Sequence, residues 1–166
     1  MIKSINNIPY QYKGLPKGLI FNVPNTHLYN LVDTKSGNKI GKMYTFVQKD
    51  HHLFYKKIPY LDVLYIEDFE IEKSQRGQGW GKYFIDFVKN LSFVKKCEGR
   101  TTLVAYDPDN SPHLFYRKLD FASNYENFND EMDKYIKENR RIENCWDAVP
   151  MYLPEDKIQR NLYTIL

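Results

Sequence analysis

The sequence predicts one α/β domain in which a mixed sheet is flanked by helices. Three observations lead to this class: the length of 166 residues, the content of 42% hydrophobic and 27% charged residues, and a strand–helix–strand run over about residues 62–106. This length favours a single domain spanning residues 1–166, and the composition is typical of a globular protein. The strand–helix–strand order implies a parallel pair of strands joined by a right-handed crossover.

A β-hairpin is predicted near the start of the chain. The segments LYNLVD at 28–33 and IGKMYTFV at 40–47 flank a turn that contains Ser36, Gly37 and Asn38. These three residue types tolerate turn conformations, including positive φ, which favours a tight connection. Prolines between residues 1 and 25 exclude a long helix there, and a strand is expected near 18–23.

The most informative stretch is RGQGWG at 76–81. It follows a predicted strand over about 62–71, which contains the run LYIEDFEI, and it precedes a helix that begins at about Trp80. The helix is predicted from apolar residues with i, i+3, i+4 spacing. They are Trp80, Tyr83, Phe84, Phe87, Val88 and Leu91. Three alternating glycines expose backbone N–H groups at the positive end of this helix, and a diphosphate suits such a site.

Four more elements are predicted after this helix. They are a strand at 101–106, a short helix at 113–119, a charged helix within 126–143 and a strand at about 146–153. Ser111 suits the N-cap of the short helix and Pro112 its first position. The charged helix would present Met132, Tyr135 and Ile136 on one face.

Two common nucleotide-binding motifs do not fit the glycine stretch. The dinucleotide motif G-x-G-x-x-G would need glycine at Lys82 or at Phe84. The P-loop needs Ser or Thr after Gly-Lys, and Tyr83 follows Lys82. The glycine stretch fits instead the spacing R-G-x-G-x-G.

On this spacing the chain resembles the GNAT superfamily of N-acetyltransferases. Their acyl-CoA loop has Arg or Gln, two residues, Gly, one residue, then Gly or Ala, and Arg76, Gly79 and Gly81 match it. A second superfamily motif places Asn, then Phe-Tyr, then an apolar residue after a short helix. Its matches here are Asn110, Phe115, Tyr116 and Phe121, with Asp120 departing from the usual Gly.

The resemblance covers about residues 28–125 and implies a sheet, mostly antiparallel, that is splayed at its parallel central pair. It also implies that acetyl-CoA is the cofactor. Residues at the end of the central strand would bind the pantetheine arm, and the loop and Asn110 would bind other parts of coenzyme A. The predicted cofactor-binding residues are therefore Phe69, Glu70, Ile71, Arg76, Gly77, Gln78, Gly79, Trp80, Gly81, Lys82 and Asn110.

The resemblance also implies catalytic roles. A primary amine with a pKa near 10 must lose a proton before it attacks a thioester. Glu67 is the preferred base, because Glu-Asp in this strand resembles the base region of the diamine and polyamine and the glucosamine-phosphate acetyltransferases. Asp68 is the alternative, which alternation along the strand puts on the opposite face unless a bulge intervenes. Backbone N–H groups near Phe69 would stabilise the oxyanion, and Tyr116 would protonate the departing thiolate.

The acceptor is less defined. The run LYIEDFEI resembles the strand of diamine and polyamine acetyltransferases, and glucosamine-phosphate acetyltransferases also carry Ile-Glu-Asp there. Acidic residues crowd this strand and favour a small cationic amine or a lysine side chain. The alternatives are an amino sugar, a protein or an aminoacyl-tRNA as acceptor, or a non-catalytic acyl-CoA-binding regulatory module. Segment 126–143 is expected either to line the acceptor site or to contact a second copy in a homodimer.

Composition limits the other partners. A net charge of +3 is too small to predict nucleic-acid binding, and no apolar stretch is long enough to span a membrane. Without an apolar leader at the N-terminus, a cytoplasmic location is expected. Two cysteines without CxxC spacing and histidines without ligand spacing predict no metal site. Cys97 is expected to be buried, and His113 is expected on a helix surface.

Overall fold

The computed structural model describes residues 3–9, 26–33, 35–50, 54–55, 61–106, 112–141 and 148–159. Its strands are β1 (Lys3–Pro9), β2 (His27–Asp33), β3 (Lys39–Lys49), β4 (Asp62–Ile71), β5 (Thr101–Ala105) and β6 (Val149–Tyr152). Its α-helices are α1 (Trp80–Val94), α2 (His113–Lys118) and α3 (Glu126–Lys137). Among these described helices, none has the length and apolar composition needed to cross a membrane.

The described strands form one sheet in the order β1-β2-β3-β4-β5-β6. Every neighbouring pair is antiparallel except β4 and β5, which are parallel. The predicted fold class is therefore confirmed: the sheet is mixed, mostly antiparallel, and its parallel pair is at β4 and β5.

The predicted hairpin is formed by β2 and β3. The Gly37 N–H donates to the Asp33 carbonyl oxygen at 2.7 Å, and the Asp33 N–H donates to the Asn38 carbonyl oxygen at 2.9 Å. Gly37 has a φ of 72°, so the turn requires the left-handed conformation that glycine adopts without strain.

The sequence did not predict β1, which pairs along its whole length with β2. The strand expected near 18–23 lies outside the described residues. Within the described residues the last strand is β6 at Val149–Tyr152, where a strand at about 146–153 is predicted; residues 142–147 lie outside the described part.

One face of the sheet packs against α1. Side chains of β2, β3, β4 and β5 on this face meet the apolar stripe of the helix, and the helix begins at Trp80 as predicted. The fully or almost fully buried members include Tyr29, Leu31, Met43, Leu64, Ile66, Phe84, Ile85, Val88 and Leu103. This packing fixes the start of α1 beside the carboxyl end of β4.

Helix α3 packs on α2 and corrects one prediction. Met132 is fully buried, and the Phe128 ring lies edge-on to the His113 ring at 6.2 Å. His113 is fully buried rather than on a helix surface, because α3 covers the side of α2 on which it lies. Pro112 occupies the N-cap of α2 rather than its first helical position, and Ser111 lies outside the described residues. Cys97 is buried, as predicted.

Candidate acyl-donor cleft

The candidate site is a cleft between the carboxyl ends of β4 and β5. These strands pair only where residues 64–66 face residues 101–103, yet β4 continues to Ile71 and β5 to Ala105. The separation beyond Ile66 opens a cleft of about 750 Å³. Its walls are the end of β4, the glycine turn, the start of α1, the end of β5 and α2.

Most of the predicted site residues line this cleft. They are Asp68, Phe69, Glu70, Ile71, Arg76, Gly77, Gly79, Trp80, Gly81, Lys82 and Tyr116. Glu67 and Gln78 do not line it, and Asn110 lies outside the described residues. Sequence reasoning missed Ile66, Gln75, Leu103, Val104, Tyr106, Pro112 and Phe115, which complete the wall.

The glycine turn has the conformation that an anion-binding loop needs. Gly77 and Gly79 have φ angles of 76° and 83°, and a Cβ atom at either position would meet no atom within 4 Å. Gly79 is the N-cap of α1, so the N–H groups of the first helical turn point out of the helix beside it. The backbone is therefore left-handed and uncovered on the side of the cleft.

Gly81 serves a different purpose from the other two glycines. It lies inside α1, and a Cβ atom there would be 2.9 Å from Cζ of Phe115. The Phe115 ring also stacks on Phe69, with the ring centroids 6.1 Å apart. Gly81 therefore lets α2 approach α1 closely, which places Tyr116 beside the end of β4.

The two basic side chains of the loop have partners within the chain. The Arg76 Nε–H donates to the Ile71 carbonyl oxygen at 2.9 Å, which ties the loop to the end of β4. Lys82 forms an exposed ion pair with Asp86 at 2.7 Å, one helical turn away. Exposed pairs of this kind contribute little stability, so Lys82 can exchange Asp86 for an anionic ligand at low cost.

A bulge interrupts β4 within the predicted base region. Lys42 pairs with Glu70 and Tyr44 pairs with Glu67, so β4 has one more residue than β3 between these pairs. Asp68 has a φ of 49°, a left-handed conformation that Asp adopts more readily than most residues. The structure therefore has a bulge at this point of β4, and the regular alternation of side chains does not continue through Asp68.

Glu67 and Asp68 have different surroundings. Glu67 lies opposite Tyr44 and on the same face as Tyr65, which precedes it by two residues on the strand. Burial raises the pKa of Tyr65, and the nearby charge of Glu67 raises it further. Asp68 lies in the cleft wall and forms an ion pair with Lys42 at 3.3 Å.

Tyr116 lies in an aromatic cluster at the cleft. It is 7% exposed, and its ring centroid lies 6.4 Å from that of Phe69 and 6.0 Å from that of Phe121. The packing fixes the ring direction while the side chain still lines the cleft.

A larger cavity of about 990 Å³ lies at the other end of β5, between α2, α3 and β6. Carboxylates and aromatic rings line it, among them Asp120, Glu126, Asp133 and Tyr152. None of the predicted site residues lines this cavity.

No protein-family model matches the chain. None of the curated proteins matches it either. Solved structures do match it. The Bacillus subtilis N-acetyltransferase YlbP, in complex with coenzyme A, is 13% identical, with 78% of this chain and 68% of that chain covered at a TM-score of 0.51.

Two further matches have the same fold. An acyl-CoA N-acyltransferase from Pseudomonas aeruginosa is 14% identical, with 80% of this chain and 70% of that chain covered at a TM-score of 0.51. A bacterial toxin is 16% identical, with 95% of this chain and 94% of that chain covered at a TM-score of 0.56. At such identities the likeness shows the fold. The chain has the fold of the GNAT N-acetyltransferases, as its sequence motifs predict.

Proposed function

We propose that the chain is an acetyl-CoA-dependent N-acetyltransferase that moves an acetyl group to a primary amine by direct attack in a ternary complex. The observation that carries this proposal is the cleft itself. Parallel strands separate there beside a left-handed glycine turn and a helix start, and Tyr116 lies in the same wall. Acetyl-CoA would supply the activated thioester.

The residues of the cleft suit coenzyme A. The uncovered backbone at Gly77 and Gly79 leaves room for a diphosphate against the start of α1. Arg76 and Lys82 would balance its charge at the rim. The backbone at Phe69, Glu70 and Ile71, which has no β5 partner in the described part of the chain, would hydrogen-bond the pantetheine arm.

We assign Glu67 as the base and keep Asp68 as the alternative. A carboxylate must accept, directly or through a water, the proton of an amine that is charged at neutral pH. Asp68 is already engaged by Lys42, whose Nζ atom lies 3.3 Å from one of its carboxylate oxygens. Glu67 lies beside Tyr44 and Tyr65, and aromatic faces favour a bound cation.

Tyr116 is proposed as the acid that protonates the departing thiolate. Tyr116 belongs to the short helix α2, which Gly81 allows to approach the cleft. The position of the Tyr116 side chain therefore depends on the packing of Phe115. Backbone N–H groups around Phe69 would stabilise the negative oxygen of the tetrahedral intermediate, since they are held in place before the reaction.

The acceptor is proposed to be a small cationic amine, or a lysine side chain. Charge alone supports this less than the sequence suggests, because lysines of β3 form ion pairs with three carboxylates of β4 and with Glu72, which follows β4. The pairs are Lys49 with Asp62, Lys42 with Asp68 and Glu70, and Lys39 with Glu72. Further support comes from the aromatic rings of Tyr44, Phe46 and Tyr65, which lie on the same sheet face as Glu67.

The proposal is tested with purified protein in two steps. Calorimetry with coenzyme A measures donor binding, and thiol release from acetyl-CoA measures turnover on polyamines, diamines, amino sugars, amino acids, lysine peptides and aminoacyl-tRNA. We expect binding of coenzyme A and turnover with the cationic amines. Absence of binding contradicts the proposal, and binding without turnover on any acceptor favours the regulatory module.

A further inference from the structure

Lys42 bridges two carboxylates of the cleft wall. Its Nζ atom lies 3.3 Å from a carboxylate oxygen of Asp68 and 3.8 Å from one of Glu70. It also lies 5.8 Å from the centre of the Tyr44 ring. Lys42 comes from β3, so one side chain of the neighbouring strand contacts both sides of the β4 bulge.

The bulge needs support because Asp68 is not a glycine. A φ of 49° is a conformation that side-chain-bearing residues adopt at a cost. The ion pair with Lys42 is a contact that depends on this conformation, since the extra residue of β4 lies between the two carboxylates that Lys42 reaches. Burial lowers the pKa of Lys42, but Asp68, Tyr44 and Glu70 raise it, and the net shift is upward.

The charge of Lys42 also matters for the cleft. Asp68 and Glu70 both line a cleft whose proposed ligand carries phosphates. Two unbalanced carboxylates would repel that ligand, and a cation that bridges them reduces the repulsion. The backbone that the bulge directs is the same backbone proposed to bind the pantetheine arm.

We propose that Lys42 is a positioning residue that fixes the bulge of β4 and thereby the donor-binding backbone at residues 69–71. This inference rests on the proposed function of the cleft. Lys42 itself is not assigned contact with the donor or with the amine.

The chain offers a matched control for this role. Lys39 lies on the same strand and pairs with Glu72 at the same distance of 3.3 Å; its side chain is more exposed than that of Lys42, 45% against 27%, and Glu72 lies beyond the end of β4. Lys42→Met, Lys42→Arg and Lys39→Met are compared for affinity for coenzyme A by calorimetry, with thermal unfolding to establish that each variant is folded.

We expect Lys42→Met to weaken coenzyme A binding about fivefold, the ratio that one partly exposed ion pair can supply. Lys42→Arg should restore most of the affinity because Arg keeps the charge, and Lys39→Met should bind like the wild type. A folded Lys42→Met that binds coenzyme A like the wild type overturns the inference. A wild type that does not bind coenzyme A overturns the proposed function instead.

A double variant tests whether Lys42 acts through the bulge. Asp68→Gly adopts a positive φ without strain and removes one of the two carboxylates. In that background, Lys42→Met should have much less effect on coenzyme A affinity than in the wild type. Equal effects in both backgrounds would contradict a role in fixing the bulge, and the binding readout does not require that Asp68→Gly remains active.

Discussion

The two halves of β4 share a strand but have different neighbours. Residues 62–66 pair with β3 on one side and include the positions that pair with β5 on the other. Residues 67–71 pair with β3 alone, contain the bulge at Asp68, and include two acidic side chains that are exposed. The first half belongs to the core, and the second half is a wall of the cleft.

This difference arises from hydrogen bonding rather than from residue type. In the first half, β5 satisfies the backbone groups on its side of β4, and Leu64 and Ile66 are buried against α1. In the second half, β5 has moved away, so backbone groups on that side of β4 face the cleft, where the Ile71 carbonyl oxygen accepts a hydrogen bond from Arg76. Substitutions of residues in the first half, or of residues that pack on it, should therefore change stability. Substitutions of residues that contact the second half should change activity.

The largest effect is expected from Tyr116→Phe, because Tyr116 packs on Phe69 in the second half of β4. Loss of a general acid lowers turnover by about 10²- to 10⁴-fold. Coenzyme A affinity and the free energy of unfolding should change little, because the ring that packs on Phe69 remains. Steady-state kinetics and calorimetry measure the two quantities. Tyr125→Phe is the control, since the Tyr125 side chain is exposed. Unchanged turnover in Tyr116→Phe would remove Tyr116 from the mechanism.

The next effect is expected from Leu64→Ala in the first half. Leu64 is 1% exposed, and truncation of a buried leucine costs about 2–5 kcal/mol of unfolding free energy. Turnover per folded molecule should stay unchanged, because Leu64 does not line the cleft. Denaturant unfolding followed by kinetics on the folded fraction checks both. Val94→Ala, at a 59% exposed position, should cost about 0.5 kcal/mol or less. Loss of turnover in folded Leu64→Ala would break the distinction between the two halves.

The sequence predicts well the two elements that position the site, β4 and the start of α1, because local patterns determine them. Apolar alternation predicts β4 at residues 62–71, and the glycine stretch with its helical spacing predicts the start of α1 at Trp80. Each signal is local: the first spans residues 62–71 and the second spans residues 76–91.

The support of the bulge could not be predicted from the residues alone. Apolar residues step from Leu64 and Ile66 to Phe69 and Ile71, which is compatible with a bulge between them, but its position depends on how β4 pairs with β3. The contact of Lys42 with Asp68 and Glu70 depends on the same register. His113 is buried because α3 covers it, and Gly81 is required because Phe115 approaches it. Each of these contacts joins segments that are distant in sequence.

A smaller effect is expected from Gly81→Ala, which should change both stability and turnover. Alanine within a helix normally stabilises a protein relative to glycine, by about 0.5–1 kcal/mol. Here the added Cβ would lie 2.9 Å from the Phe115 ring, which stacks on Phe69 and cannot withdraw freely. We therefore expect the opposite sign, a loss of about 1–3 kcal/mol, together with reduced turnover as Tyr116 shifts.

Two variants isolate the cause of this effect. Gly77→Ala introduces strain at a positive φ but no clash, so replacing Phe115 with a smaller residue should not rescue it. Gly81→Ala combined with Phe115→Leu should recover stability, because the shorter side chain leaves room for the Cβ. Denaturant unfolding of Gly81→Ala, Gly77→Ala and the double variants of each with Phe115→Leu measures this coupling. Stabilisation by Gly81→Ala alone would show that α2 can move away from α1 without cost.

The smallest effect is expected from Asp133→Asn, which touches neither half of β4. Arg117 on α2 donates to both carboxylate oxygens of Asp133 on α3, at 2.7 and 2.8 Å. These hydrogen bonds hold the pKa of Asp133 below its usual value of 3.8. The stabilisation is therefore present above pH 3.8 and is lost as the pH falls through the lower pKa of the folded protein. Because Asp133 is largely exposed, Asp133→Asn should cost at most about 1 kcal/mol at pH 7, and the difference from the wild type should shrink as the pH approaches 3. Turnover should not change, since the bidentate pair joins α3 to the side of α2 that lies away from the cleft. A large loss of turnover would instead mean that α3 fixes Tyr116 through Arg117, and the boundary between core and site would then extend beyond β4 to the contact between these two helices.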